Sequence, residues 1–180
     1  DFAVEFDYYA NAIKSADPTA RITSASILNW DFTCTLCGFF QSGENWMREF
    51  IDIYQATHDG DLPPVDIWAM DVYPLRWDQV PMTDWVTVVN QIAGLRNYLD
   101  TELLRPSDPI WVTEIASHWA YDTWTFDANG LPTLPAHLDW DADYRWDAMA
   151  DYITSIVDWL RANGPGMRIE KWFFFTDYVD

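Results

Sequence analysis

Amphipathic helical stripes and short apolar runs take turns along this chain, and that alternation restricts the fold more than any other feature of the sequence. Phe6, Tyr9, Ala10 and Ile13 recur at three- and four-residue steps from Phe2, predicting a helix that ends near Ala16-Asp17-Pro18. Ala20 to Trp30 then reads as a buried strand, carrying Ile22, Ile27 and Leu28 and ending in Asn29-Trp30-Asp31. A loop through Thr33, Cys34, Cys37 and Gly38 leads to Ser42, whose hydroxyl suits the N-cap of a helix striped by Trp46, Met47, Phe50, Ile53 and Tyr54. His58-Asp59-Gly60 stops that helix. The run from Val65 to Tyr73 predicts a second strand, closed by Pro74, which cannot continue a ladder.

The pattern repeats. Thr83 or Asp84 caps a helix striped by Trp85, Val88, Val89, Ile92, Leu95, Leu99 and Leu103, with its exit at Arg105-Pro106. Ile110 to Ala116, rich in β-branched residues, predicts a third strand. About two dozen residues of loop follow, a length that marks function in compact domains. A fourth helix is expected from around Asp141 to the stop at Asn163-Gly164-Pro165, and a last strand over Ile169 to Phe175. Helical crossovers return the chain to the same strand direction, so the expected class is α/β with a parallel sheet, one domain over residues 1–180. Such a set of units is either a small open sheet or half of an eight-stranded (β/α)8 TIM-type barrel, whose usual length is roughly 250 residues. The chain holds no G-x-G-x-x-G or phosphate-binding loop, which disfavours a nucleotide-binding open sheet.

Ten Lys and Arg against 29 Asp and Glu give a net charge of −19, which repels phosphate backbones and argues against a nucleic-acid partner. No run approaches the roughly 18 apolar residues of a membrane span, so no membrane partner is expected. Two cysteines and three scattered histidines cannot assemble a four-ligand zinc site, so neither a metal nor a cofactor is expected. Twelve Trp, nine Tyr and ten Phe exceed what a core of this size requires, and their flat faces suit sugar rings. A carbohydrate is the ligand class left by these exclusions.

In a barrel the reactive groups lie at the C-terminal strand ends: Asn29, Trp30 and Asp31; Asp71 and Tyr73; Glu114; and Phe175, Thr176 and Asp177. Period-two alternation puts Ile110, Val112 and Glu114 on one face and Ile67, Ala69, Asp71 and Tyr73 on another. If both point into the barrel, Glu114, Asp71 and Tyr73 converge at its mouth.

Pro109-Ile110-Trp111-Val112-Thr113-Glu114 resembles the seventh-strand motif of the large superfamily of retaining (β/α)8-barrel glycoside hydrolases. The run from Val65 to Pro74 is similar to the sixth strand of those enzymes, Lys171 to Asp177 to the aromatic eighth strand, and Tyr8 to Ile22 to the helix-to-strand passage after the fourth. The resemblance implies that the chain covers strands five to eight, the C-terminal half of the barrel, with the first half absent. It implies a hydrolase of O-glycosidic bonds in oligo- or polysaccharides, acting outside the cell or in the cell envelope, with Glu114 as nucleophile and Tyr73 hydrogen-bonded to it. Asp71, Trp119, Trp30, Phe175 and His118 are the expected substrate contacts, Trp119 being the foremost stacking residue. The chain departs from the pattern twice: the superfamily's Asn-Glu acid motif is absent, and Asp71 stands where many relatives carry histidine.

Plainer roles compete for each residue. Glu114 suits an ion pair at a strand end, Tyr73 and Trp30 suit a core, Asp71 and Asp177 suit turn caps, and His118 suits an ordinary loop. The alternative function is a degenerate barrel that binds carbohydrate without cleaving it.

Overall fold

The computed structural model describes residues 2–31, 41–74, 83–117, 125–126, 128, 132–133 and 146–175. In chain order the elements are α1 (Phe2–Ala16), β1 (Ile27–Leu28), α2 (Gly43–Thr57), β2 (Trp68–Val72), α3 (Trp85–Thr101), β3 (Ile110–Ile115), β4 (Thr125–Phe126), β5 (Pro132–Thr133), α4 (Trp146–Asn163) and β6 (Ile169–Phe174). The class is α/β, as expected. Four strands form one sheet in the order β1-β2-β3-β6, every pairing parallel. Each strand lies beside the one before it in the main sheet, so the order never reverses as it does in a doubly wound sheet. This arrangement is compatible with part of a TIM-type barrel. Among the described residues no helix is long and apolar enough to cross a membrane.

The core lies between the sheet and its helices. Trp68, Met70 and Val72 of β2, and Ile110, Val112 and Ile115 of β3, pack with Met47 and Phe50 of α2, Val88, Ile92, Leu95 and Leu99 of α3, and Tyr152, Ile156 and Leu160 of α4. Caps hold the helices as expected. Ser42 accepts the Asn45 amide at the start of α2, and the Asp84 carboxylate accepts the Val86 and Thr87 amides at the start of α3.

Several boundaries differ from the expectations. The strand expected over Ala20–Trp30 pairs only at Ile27–Leu28, with a bridge at Thr23. The reason is a bond between neighbouring segments: Ser24 Oγ accepts the Ala69 amide at 2.9 Å, where a backbone carbonyl would have continued the ladder. The α3 stripe ends at Thr101 and not at Leu103, because Leu104 adopts a left-handed φ of 55°. Buried Arg96 stabilises that exit by donating to the Arg105 and Asp108 carbonyls, at 2.8 and 2.7 Å. The long loop after β3 contains a small antiparallel pair, β4 with β5. Asn129-Gly130 lies between those segments in sequence, the dipeptide that favours tight hairpins. Residues 141–145 lie outside the described residues, as do Cys34 and Cys37.

Trp30 also departs from its expected place. It is 7% exposed, its ring 5.2 Å from that of Tyr98, and it lies against Gly94 of α3. The side chain is part of the core and not of a sugar cleft. A Cβ at Gly94 would stand 2.3 Å from Trp30 Cδ1, so glycine is what allows this close approach. Gly94→Ala is expected to destabilise by about 1–3 kcal/mol of overpacking, only partly offset by alanine's better helix propensity. A lowered urea midpoint with an unchanged m-value checks this.

Candidate active site

The site forms where β2 and β3 end. Tyr73 follows β2, and its hydroxyl donates to Glu114 Oε2 on β3. Asp71 is the register partner of Glu114 on the adjacent strand. Three of the expected residues, Glu114, Tyr73 and Asp71, are therefore brought together at the C-terminal ends of neighbouring parallel strands.

They converge by a route that simple alternation does not give. Ile110 and Val112, expected to share a face with Glu114, are fully buried on the helix side. Strict alternation would have sent Glu114 there too. The register instead slips: Met70 pairs with Val112 and Asp71 with Glu114, leaving Thr113 as an extra residue on β3. That irregularity returns Ile115 to the core and turns Thr113 and Glu114 to the face of Asp71. The expected face for β3 is thus corrected, while the face of Ile67, Ala69, Asp71 and Tyr73 lies opposite the helix-packed Trp68, Met70 and Val72, as anticipated.

Buried polar groups fix the rim. Asn29, 1% exposed and left-handed at φ 52°, accepts the Tyr73 amide at 2.8 Å and donates to the Tyr73 carbonyl at 3.0 Å, while its own amide donates to the Asp71 carbonyl at 2.8 Å. One side chain therefore clamps the backbone on both sides of Tyr73 and aims its ring. Gln91 of α3 accepts the Trp30 and Asp31 amides and donates to Asp31 Oδ1 at 2.6 Å, fixing the turn after β1. Tyr152 of α4 donates to the Ala116 carbonyl at 2.9 Å, tying down the chain just beyond Glu114, and burial raises its hydroxyl above the ordinary range.

Beneath the rim, Ser26 just before β1, Thr113 of β3 and Asp71 of β2 form a hydrogen-bonded chain, 2.7 Å at each link. Burial raises the Asp71 carboxyl above its usual range and the Glu114 charge adds to this, outweighing hydrogen bonds from Thr113 and Ser26. Phe175 donates its amide to the Ile115 carbonyl and leaves its ring half exposed beside the Glu114 strand end. Trp119, His118, Thr176 and Asp177 lie outside the described residues.

Sequence reasoning placed Asn29 at a strand end without giving it a task, and passed over Ser26, Gln91 and Thr113. A buried asparagine followed by Trp30-Asp31 was the available signal for the clamp. Nothing in the sequence announces the slip at Thr113.

The fold has solved counterparts. A glucosidase from Croceicoccus marinus aligns with 97% of this chain and 28% of its own, at 14% identity and a TM-score of 0.59. An endo-β-1,3-glucanase from Amycolatopsis mediterranei aligns over 95% of this chain and 52% of its own, at 17% identity and a TM-score of 0.44. The chain therefore spans well under two thirds of either protein. No family model and no curated protein matches it. The first likeness shows that this chain shares its fold with part of that glucosidase.

Proposed function

We propose that the chain is the nucleophile-bearing half of a retaining barrel glycoside hydrolase acting on O-glycosidic bonds of an oligo- or polysaccharide. The observation that carries this reading is the Tyr73 hydroxyl held on Glu114 Oε2, at the C-terminal ends of adjacent parallel strands. Tyr73 occupies Oε2, which leaves Oε1 as the attacking oxygen. Glu114 Oε1 bonds to the anomeric carbon as the carbon–oxygen bond to the leaving sugar breaks, and an acid protonates the departing oxygen. Water then attacks the glycosyl ester, freeing Glu114. The acid must sit about 5–5.5 Å from the nucleophile, and it is supplied by residues outside this chain, from the complementary strands of the barrel. The exposed ring of Phe175, with Trp119 and His118, which follow β3 in sequence, contacts the sugar, and the enzyme works outside the cell or in its envelope. This two-carboxylate route uses no cofactor.

The test is a protein that includes the complementary strands, assayed on a panel of glycosides with the product anomer followed by proton NMR. Net retention is expected; inversion, or sugar binding without hydrolysis, contradicts the reading. Tyr73→Phe should lower kcat/KM about 10- to 100-fold, the equivalent of ~1.5–3 kcal/mol for one hydrogen bond to a charged group. Steady-state kinetics on the same substrate measures it.

A further inference from the structure

Arg21, Trp111, Glu170 and Lys171 meet on the sheet face opposite the helices, near the strand starts and away from the rim. Trp111 stands between the core residues Ile110 and Val112 of β3 and so turns to the other face. Its indole Nε1 donates to Glu170 Oε2 at 3.1 Å, and its ring holds the Lys171 ammonium 4.3 Å and the Arg21 guanidinium 5.9 Å from the centroid. The register passes from Ile110 opposite Ile169 to Trp111 opposite Lys171, so Glu170 is an extra residue and both it and Lys171 reach Trp111. Arg21 Nη1 and Nη2 donate to the two Glu170 oxygens at 2.9 and 3.2 Å. Arg21 precedes β1 and Glu170 belongs to β6, the two outer strands of the sheet. In a flat sheet those strands would stand about 14 Å apart, three strand spacings. A bidentate pair between them marks a sheet that bends toward this face, as the inner wall of a barrel does.

The charges on this layer do not balance: two cations share one carboxylate. Glu170 serves Arg21, whose bond chiefly holds its carboxyl below the ordinary range. Among the described residues Lys171 rests on the Trp111 ring and forms no ion pair. Glu114 lies three residues beyond Trp111 on β3, about 10 Å along the strand. Water screens the imbalance here, since the Arg21 and Glu170 side chains are 45% and 42% exposed. Enclosure in a barrel removes that water, and a cation shut in without a counter-charge is costly. We propose that the complementary strands carry an inward-facing Asp or Glu at the level of Trp111, whose carboxylate pairs with Lys171 when the barrel closes. This pairing rests on the reading of the chain as half of a barrel, and it gives the other half an acidic floor in place of a wholly apolar one.

The test is a crystal structure of the protein that includes the complementary strands, together with urea denaturation of its variants. Lys171 Nζ should lie within about 4 Å of a carboxylate contributed by those strands. Lys171→Met should lower the urea midpoint, because it leaves that carboxylate enclosed and alone. Changing the facing carboxylate to its amide in the Lys171→Met background should recover part of the loss, since neither charge is then unpaired. The contact with the Trp111 ring is absent in both backgrounds and cannot produce the recovery. A closed barrel in which Lys171 meets no carboxylate of the other half, or a Lys171→Met midpoint that does not fall, overturns the proposal and leaves the hydrolase reading standing. Edges at β1 and β6 that stay unpaired in that structure overturn the half-barrel reading and this pairing with it, so the two failures are told apart by whether the barrel closes.

Discussion

Glu114→Gln in the assembled barrel should reduce turnover of a glycoside about 10⁴-fold or more, the scale on which removing an essential nucleophile acts. The amide cannot form the glycosyl ester, and every later step depends on that bond. Folding should be preserved, because the substitution is isosteric and an amide oxygen still accepts the Tyr73 hydroxyl. Sugar affinity should persist for the same reason. Thermal denaturation and calorimetric titration with an oligosaccharide separate these effects from catalysis. A variant that keeps parental turnover would require another nucleophile.

Asn29→Ala should give the largest structural loss at the rim, about 3 kcal/mol. The substitution strips two hydrogen bonds from buried backbone groups of Tyr73, each unsatisfied group costing about 1–3 kcal/mol. It also places alanine in a left-handed conformation that asparagine tolerates better. The environment leaves no room for repair: a Cβ at Gly43 would lie 1.9 Å from the Asn29 carbonyl oxygen, so the start of α2 is seated directly on this turn. Urea denaturation reads the stability loss. A fall in kcat/KM as large as that of Tyr73→Phe is expected with it, since Tyr73 loses its clamp. Parental stability in this variant would show that the Asn29 bonds contribute nothing.

The alternation of stripes and apolar runs was legible because each feature has a local cause. Ser42 and Asp84 cap their helices with their own side chains, and Pro74 and Gly164-Pro165 stop elements without reference to distant residues. Glu114, Asp71 and Tyr73 were legible as strand-end polar groups in otherwise apolar runs. What escaped depends on pairing between strands. Ser24 breaks the pairing ahead of β1 because Ala69 lies opposite it, and the extra residue at Thr113 exists only relative to Met70 and Asp71. Period-two counting therefore assigned Ile110 and Val112 to the wrong side. Trp30 misled for a related reason. Its place at a strand end matched a sugar contact, but Gly94, more than sixty residues later, opens a slot for it in the core.

The decisive experiment is covalent capture. An activated 2-deoxy-2-fluoroglycoside should accumulate as a glycosyl ester on the protein, and peptide mapping by mass spectrometry should find the added sugar on Glu114 within the Pro109–Ala116 segment. A label on any other carboxylate would mean that the side chain gripped by Tyr73 is not the one that attacks.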